Sequence, residues 1–420
     1  MFRRRPRRLG CQTMSLRELE ATPVSPAPSA QSPLLAVLPK TPIVPDFTLQ
    51  GRDERLDMFR GLALVMIFVN HVPGTFYESL TNRNFGFSDA AEAFVFMSGI
   101  AAGLAYSNRF RSGSWWVATA KVWARARQLY FVHIVITMLC LGIFAGAANW
   151  FGATELLAKN NLAPLFQRPL SVLVGIPLLT HQLGYLNILP LYMTLLLATP
   201  LVIIAGLRWP VLVALVSVAL WAIAGQFRLN FPAFPNAGGW FFNPFSWQLL
   251  FVFGLLSGMA MKIGSVFVPY SRTLLTFAIG VLVLTLLWMK IPAFGKFMND
   301  SMGWLSGQGV PFYITWFDKT FLSLPRLLHA LALFYVLGSL PIMRRLASST
   351  IVAPLRLMGR QGLAVFASGT VLSIFLQTVR SGREPDLLFD GLLLGGGLLA
   401  LIGLAWALTR TQALTRAKPA

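Results

Sequence analysis

Residues 186–207 read LNILPLYMTLLLATPLVIIAGL, and residues 209–223 read WPVLVALVSVALWAI. Neither run contains a charged side chain, and unbroken apolar runs of about 18–22 residues recur along the chain, the length that a helix needs to cross a bilayer. A strand of a membrane barrel would instead alternate in character over about 10 residues. Because every backbone polar group in lipid must be bonded within the protein, these runs predict membrane-spanning α-helices.

The composition of the 420-residue chain agrees with a lipid environment. Hydrophobic residues make up 55% of the sequence and charged residues 12%, against roughly 25% charged in a typical soluble domain. We therefore predict an all-α, polytopic integral membrane helix bundle whose main partner is the lipid bilayer. The two cysteines, Cys11 and Cys140, are too few for a disulfide framework.

Hydrophobic patterning predicts about ten transmembrane helices, with ends accurate to a few residues. They are 58–75, 89–107, 128–147, 183–206, 209–226, 245–262, 272–290, 324–343, 361–379 and 387–409. The apolar segment 164–180 is flanked by prolines and is interpreted as a re-entrant or interfacial piece; if it spanned, the count would be eleven. Residues 1–50 are predicted to be a disordered basic and Pro-rich cytoplasmic tail, 51–410 the membrane domain, and 411–420 a short cytoplasmic tail.

The net charge of +20 would indicate nucleic acid as a partner in a soluble chain. Here the ten-span arrangement places 24 Lys and Arg residues on the side of the N-terminus and ten on the other side. From Glu78 onward, all nine acidic residues fall at or beyond the opposite surface. The positive-inside rule then predicts that both termini are cytoplasmic, and no nucleic acid partner is expected.

The first predicted span carries ionisable side chains, which are costly in a membrane and by default candidates for function. Asp57, Arg60, Leu64 and His71 fall on one helical stripe about 60° wide, with Asp57 and His71 about 21 Å apart along the axis. Asp57 and Arg60 would lie at the cytoplasmic mouth and His71 in the outer third. The alternative is that Asp57 and Arg60 form only an interfacial ion pair.

The second predicted span begins with Asp89 and Glu92, which share one helix face. A short loop makes the first two spans antiparallel neighbours, so these carboxylates should approach His71, as in a general-base arrangement. The alternative for Asp89 is a simple helix N-cap. Gly99 and Gly103 on the same face form a GxxxG pair, which permits close helix approach.

Other polar and aromatic residues are predicted near the outer surface. His181 and His329 share the depth of His71, but no two histidines are close in sequence, and we expect no metal site. The loops 226–248 and 300–319 mix aromatic side chains with amides and Asp, a combination that suits sugars. The alternative is an ordinary aromatic belt at the membrane interface.

The stretches RLDMFRGLALVMIFVNHVPG at 55–74 and NFGFSDAAEAFVFMSGIAAGLAY at 84–106 resemble the OpgC family, polytopic proteins linked to succinylation of osmoregulated periplasmic glucans. Four later stretches extend the resemblance over roughly residues 50–410, namely YLNILPLYMTLL at 185–196, NPFSWQLLFVFG at 243–254, PRLLHALALFYVLG at 325–338 and GRQGLAVFASG at 359–369. The first two spans are also similar to the acyltransferase-3 and heparan-α-glucosaminide N-acetyltransferase groups, which place an Arg at the inner end of span one and a His toward its outer end. Arg60 and His71 match that pattern, with ten residues between them.

The resemblance implies an enzyme of the bacterial inner membrane that transfers an acyl group from cytoplasmic acyl-CoA to hydroxyls of a periplasmic glucan; the OpgC family favours succinyl, and acetyl stays open as the alternative. The enzyme needs no permanently bound cofactor, because the acyl-CoA, favoured to be succinyl-CoA, is the donor substrate. The implied donor-binding residues are Arg60, Arg55 and Asp57. His71 would act as general base or acyl carrier, with Asp89 or Glu92 orienting its ring.

The predicted glucan-binding residues are Asn70, His181, Asn243, Trp247 and His329. A succinyl carboxylate needs a cation, for which Arg83 and Lys319 are candidates. The stripe from Arg60 to His71 should line a channel for the donor. Two other functions stay open: a transporter or flippase, whose charged stripe would be a permeation path, and a non-catalytic scaffold for glucan synthesis.

Overall fold

The protein is described by a computed structural model that covers residues 53–417, so the predicted tail at 1–50 lies outside the described residues. The first eight helices are α1 (Glu54–Asn70), α2 (Ala90–Ser112), α3 (Trp115–Phe151), α4 (Ala163–Gln167), α5 (Pro169–Gly175), α6 (Ile188–Arg208), α7 (Pro210–Phe227) and α8 (Pro244–Met261). The other eight are α9 (Arg272–Lys290), α10 (Pro292–Gly307), α11 (Phe312–Thr315), α12 (Leu324–Ser339), α13 (Ile342–Ser348), α14 (Ala353–Arg360), α15 (Gly362–Arg380) and α16 (Leu387–Ala417). Within 53–417 there are no β-strands, only an isolated bridge between Pro232 and Gly239.

The predicted membrane helix bundle is confirmed. Among the described residues, eight helices are long and apolar enough to cross a membrane: α2, α3, α6, α7, α8, α9, α15 and α16. The pair α12 and α13, bent by 76°, would make a ninth span. Helix α1 overlaps the first predicted span, 58–75, but begins and ends four to five residues earlier and is only 17 residues long, or about 26 Å. The count by length and composition is thus eight or nine, against the ten expected.

Three segments show where predicted and observed boundaries agree or differ. The segment 164–180 forms α4 and α5, whose five and seven residues cannot span a bilayer, which fits the re-entrant or interfacial interpretation rather than an eleventh span. The predicted outer loop 300–319 is partly helical, because α10 continues to Gly307. The segment predicted as a short tail after residue 410 is helical as far as residue 417, where α16 ends. Apolar periodicity locates the middle of a span well, but helices extend beyond it wherever the polar flanks have helical propensity.

The predicted close approach at Gly99 and Gly103 is confirmed, and the partner helix is α8. A Cβ on Gly99 would overlap the carbonyl oxygen of Phe251, and one on Gly103 that of Leu255. Gly254 and Gly258 of α8 approach the backbone of α2 in the same way. Each helix therefore contributes a GxxxG pair, and the two backbones pack with almost no side chain between them.

Helix α1 is enclosed by α2, α13, α14 and α15. Its backbone touches that of α14, because a Cβ on Gly61 would overlap the Leu355 carbonyl and a Cβ on Gly359 that of Asp57. Leu64 and Phe68, at 3% and 2% exposure, belong to the main hydrophobic core. The stripe that carries Arg60, Leu64 and His71 therefore faces protein rather than lipid.

Candidate active site

A cavity of about 560 Å³ lies at the Asn70 end of α1. Its polar and charged lining consists of Asn70, His71, Arg83, Asp89, Asn161, Thr180, Gln182, Asn187, Asn236, Lys319 and Thr320. Its aromatic lining consists of Tyr185, Trp240, Phe241, Phe242 and Phe366. Aromatic faces beside amides and charges form the kind of surface that binds sugars, and the volume lies within the range typical of ligand sites.

His71 caps the C-terminus of α1 because the helix ends before Pro73 and Gly74. Its ring lies 4.4 Å from the ring of Tyr185, measured between centroids. Its carbonyl oxygen accepts a hydrogen bond from Nε2 of Gln377 at 2.6 Å. Nδ1 of His71 is buried and has no hydrogen-bond partner among the described residues. Both ring nitrogens of His133 and His181 are also buried without a partner among the described residues, so what distinguishes His71 is that it lines the cavity.

Asp89 is the N-cap of α2, as one of the alternatives predicted. It forms a capping box in which Asp89 Oδ1 accepts from Ala91 N at 2.8 Å and Glu92 Oε2 accepts from Asp89 N at 2.9 Å. The carboxylate of Asp89 also binds the ammonium of Lys319 and lies 3.5 Å from Nη2 of Arg326. Capping and ion pairing thus use both of its oxygens.

Glu92 is fully buried behind the cavity wall. Its Oε1 accepts two hydrogen bonds from Arg326, at 2.9 Å from Nε and 2.5 Å from Nη2. Because Nδ1 of His71 has no partner among residues 53–417 and both carboxylates bind other groups, the expected carboxylate-to-imidazole contact is absent from this conformation. The structure brings His71 and Asp89 to one cavity but leaves the histidine ring unoriented by either acid.

Of the five predicted glucan-binding residues, Asn70 lines the cavity and the other four do not. Asn243 is the N-cap of α8 and donates to Leu229 O at 2.6 Å. Trp247 is fully buried and donates to the carbonyl of Lys319 at 2.9 Å. These two residues shape the cavity indirectly, because they hold the backbone that carries Lys319.

The two histidines predicted beside His71 are also buried outside the cavity lining. Nδ1 of His329 accepts a hydrogen bond from the backbone N–H of Ser88 at 3.3 Å, and Oγ of Ser88 lies 2.7 Å from the same atom. These contacts connect α12 to the residue that precedes Asp89. His181 is 2% exposed, and burial lowers its pKa, which keeps the ring neutral at neutral pH. Depth along a span does not distinguish a histidine in a wall from one in a cavity.

A second charged cluster lies at the Glu54 end of α1. Asp57 is 1% exposed and lies between Arg60 Nη1 at 3.8 Å and Arg360 Nε at 3.4 Å. Arg55 bonds to the N-cap Asp53 at 2.8 and 3.1 Å. The predicted pairing of Asp57 with Arg60 is present, and the structure adds Arg360 to it.

The cavity at His71 does not extend along α1 to the second cluster. Arg60 and His71 are about 16 Å apart along the axis of α1, and of this helix the cavity contacts Ile67, Asn70 and His71. Leu64, between Arg60 and His71, is packed into the core at 3% exposure. Within the described residues, Leu64 therefore separates the cavity from the cluster at Arg60.

The residues that contact or support the site and were not predicted include Arg326, Tyr185 and Gln377. Arg326 lies inside a predicted span, and an ionisable residue there is itself a signal of function. Tyr185 and Gln377 carry no such signal, because an uncharged residue near a span end is common.

A sequence model described as OpgC protein matches residues 52–413. No curated protein and no solved structure gives a match. The matched range includes His71, Asp89, Lys319 and Arg326, and it covers most of the chain. This chain therefore belongs to the OpgC protein family, whose role lies in the modification of osmoregulated periplasmic glucans.

Proposed function

We propose that the protein is a membrane O-acyltransferase that transfers a succinyl group from cytoplasmic acyl-CoA to hydroxyls of a periplasmic glucan. The observation that carries this proposal is His71, whose ring lines a cavity walled by aromatic and amide side chains. A histidine that lines a sugar-compatible cavity is suited to remove a proton from a hydroxyl group. Family membership supports the glucan as the acceptor.

In the proposed reaction the imidazole of His71 takes the proton from a glucan hydroxyl as the oxygen attacks the thioester carbonyl carbon. A C–O bond forms and a tetrahedral oxyanion results. The C–S bond then breaks, and the CoA thiolate leaves with the proton that His71 had accepted. The products are a glucan ester and free CoA thiol, so atoms and charges balance.

The second charged cluster, at the Glu54 end of α1, would bind the CoA phosphates. Arg60 is chemically suited to this role, because guanidinium groups bind phosphate through paired hydrogen bonds. Asp57 would hold Arg60 in position, while Arg55 is already bonded to Asp53. The extended arm of CoA is long enough to bridge about 16 Å, so Leu64 must move aside when the donor binds.

The test measures the mass and charge of periplasmic glucans from cells that lack the protein. These cells are complemented with wild type, with His71→Gln, or with His133→Gln. His133 is a matched control because it is also a buried histidine, at 1% exposure, and does not line the cavity. We expect anionic substituents to return with wild type and His133→Gln but not with an equally abundant His71→Gln.

Two results would count against the proposal. If glucans from cells with His71→Gln carried the normal anionic substituents, the protein would have a scaffold role and His71 would not be catalytic. Glucans unchanged by deletion of the protein would remove the glucan as the acceptor, and the transporter alternative would then gain support.

A further inference from the structure

Three charged residues line the cavity. They are Arg83, Asp89 and Lys319, two cations and one carboxylate. The second carboxylate nearby, Glu92, is fully buried and bonded to Arg326, so it does not reach the cavity. Arg83 is likewise paired with Glu78, so a ligand that enters this space meets ion-paired cations rather than a net positive charge.

Lys319 is held in place at both its backbone and its side chain. Its carbonyl accepts a hydrogen bond from Trp247 Nε1 at 2.9 Å, and the next carbonyl, that of Thr320, accepts from Asn243 N at 3.3 Å. Its ammonium is bound by the carboxylate of Asp89. Trp247 and Asn243 are fully buried, so the position of this lysine is fixed before any ligand arrives.

The ammonium of Lys319 has capacity for a further partner. It carries three N–H donors, and Asp89 is its hydrogen-bonding partner among the described residues. Its other close neighbours are the ring faces of Phe242 and Phe241, at 5.5 and 5.8 Å from the ring centroids. Oδ2 of Asp89 also lies 3.5 Å from Nη2 of Arg326. The negative charge of Asp89 is therefore divided between two cations and neutralises Lys319 only in part. An apolar wall with a cation at its end suits a short carbon chain that ends in a carboxylate.

Arg83, the other cation, is less suited to this role. Its side chain is 48% exposed, against 27% for Lys319, and its Nη1 is 2.6 Å from Oε1 of Glu78. Both cations have a carboxylate partner, but a cation that is half in water contributes little to binding an anion.

We propose that Lys319 binds the distal carboxylate of a dicarboxylic acyl group and so selects that group over an uncharged acyl group of the same length. Lys319 is thus a specificity-determining residue, and Asp89 and Trp247 are positioning residues that act through it. The inference rests on the proposed function, because it assumes that the cavity receives the acyl chain of the donor.

The test compares two donors with the purified protein in proteoliposomes and unsubstituted glucans from cells that lack it. Succinyl-CoA and butyryl-CoA both carry four-carbon acyl groups and differ in the terminal carboxylate. The ratio of their kcat/KM values is measured by mass spectrometry of the glucans. For Lys319→Met we expect this ratio to fall roughly tenfold to a hundredfold, the value of one charge-assisted hydrogen bond. Lys319→Arg should keep most of the preference, and Arg83→Met should keep all of it.

Lys319→Met leaves Asp89 with only Arg326 as a cationic neighbour, so the variant could fold poorly. The double variant Lys319→Met/Asp89→Asn removes both charges of the pair and should fold while showing the same loss of preference. An unchanged donor ratio in both variants overturns the inference, as does a loss of preference in Arg83→Met. If wild type transfers butyryl but not succinyl, the inference fails and acyl transfer stands. If wild type transfers neither group, the proposed function itself fails.

Discussion

Arg326 of α12 donates two hydrogen bonds to Oε1 of Glu92 in α2, at 2.9 and 2.5 Å, and the glutamate is fully buried. The same guanidinium lies 3.5 Å from Asp89, the residue that binds Lys319. One buried ion pair therefore joins two distant helices and supports the charged wall of the cavity. Burial of such a pair costs desolvation free energy. Removal of one partner destabilises the fold further, because the other charge stays buried without compensation.

The first prediction concerns that pair. Arg326→Met should destabilise the protein by about 3–5 kcal/mol, because Glu92 would be left charged and buried. Glu92→Gln/Arg326→Met should recover most of this loss, since the amide can still accept from the N–H of Asp89. Thermal unfolding in detergent measures the stability of the single and the double variant. A double variant as unstable as the single one would show that the arginine contributes packing rather than charge.

The second prediction concerns Gln377, which donates to the carbonyl of His71 at 2.6 Å. Gln377→Glu keeps the shape but loses the donor, so the turn that carries His71 should shift. We expect kcat to fall about tenfold with an unchanged KM for acyl-CoA, because misplacement of a base affects the chemical step. Gln361→Leu is the control, since Gln361 bonds to Thr409 and Gln412 at the other end of α15. Equal effects of the two variants would rule out a positioning role.

The third prediction concerns the contact between α2 and α8. Gly254→Ala places a methyl group against the carbonyl oxygen of Phe96, so the two helices must separate. We expect a loss of about 1–3 kcal/mol, typical of overpacking. Gly280→Ala in α9 is the control, because nothing lies within 4 Å of its added Cβ. Equal melting temperatures for the two variants would contradict the close packing.

Local patterns in the sequence predicted the helices but not which helices touch. The apolar runs located the spans, and the GxxxG spacing of Gly99 and Gly103 predicted a close approach. The partner, α8, carries the same spacing at Gly254 and Gly258, yet many membrane helices do, and periodicity does not identify which two meet. The side-chain partner of Glu92 is 234 residues away, and a single sequence holds no record of such a pairing.

The sequence predicted those features of the candidate site that lie on one helix or on two helices joined by a short loop. His71 and Asp89 lie in one cavity because α1 and α2 are joined by the loop between them, as expected. The orientation of His71 by an acid was not found, because Arg326 and Lys319 from a distant part of the chain bind both carboxylates. For Asp89 and Glu92, the electrostatic partners are thus cations far away in the sequence rather than the nearby His71.

The last prediction tests the role of the opposite end of α1. Arg60→Gln should raise the KM for acyl-CoA roughly tenfold and change kcat little, because a phosphate contact contributes to donor binding rather than to the chemical step. The fold should survive, since Asp57 keeps Arg360 at 3.4 Å. Arg272→Gln is the control, as that exposed arginine begins α9. If Arg60→Gln instead lowered kcat at an unchanged KM, Arg60 would act on the path of the acyl group past Leu64, and the donor phosphates would have to bind elsewhere.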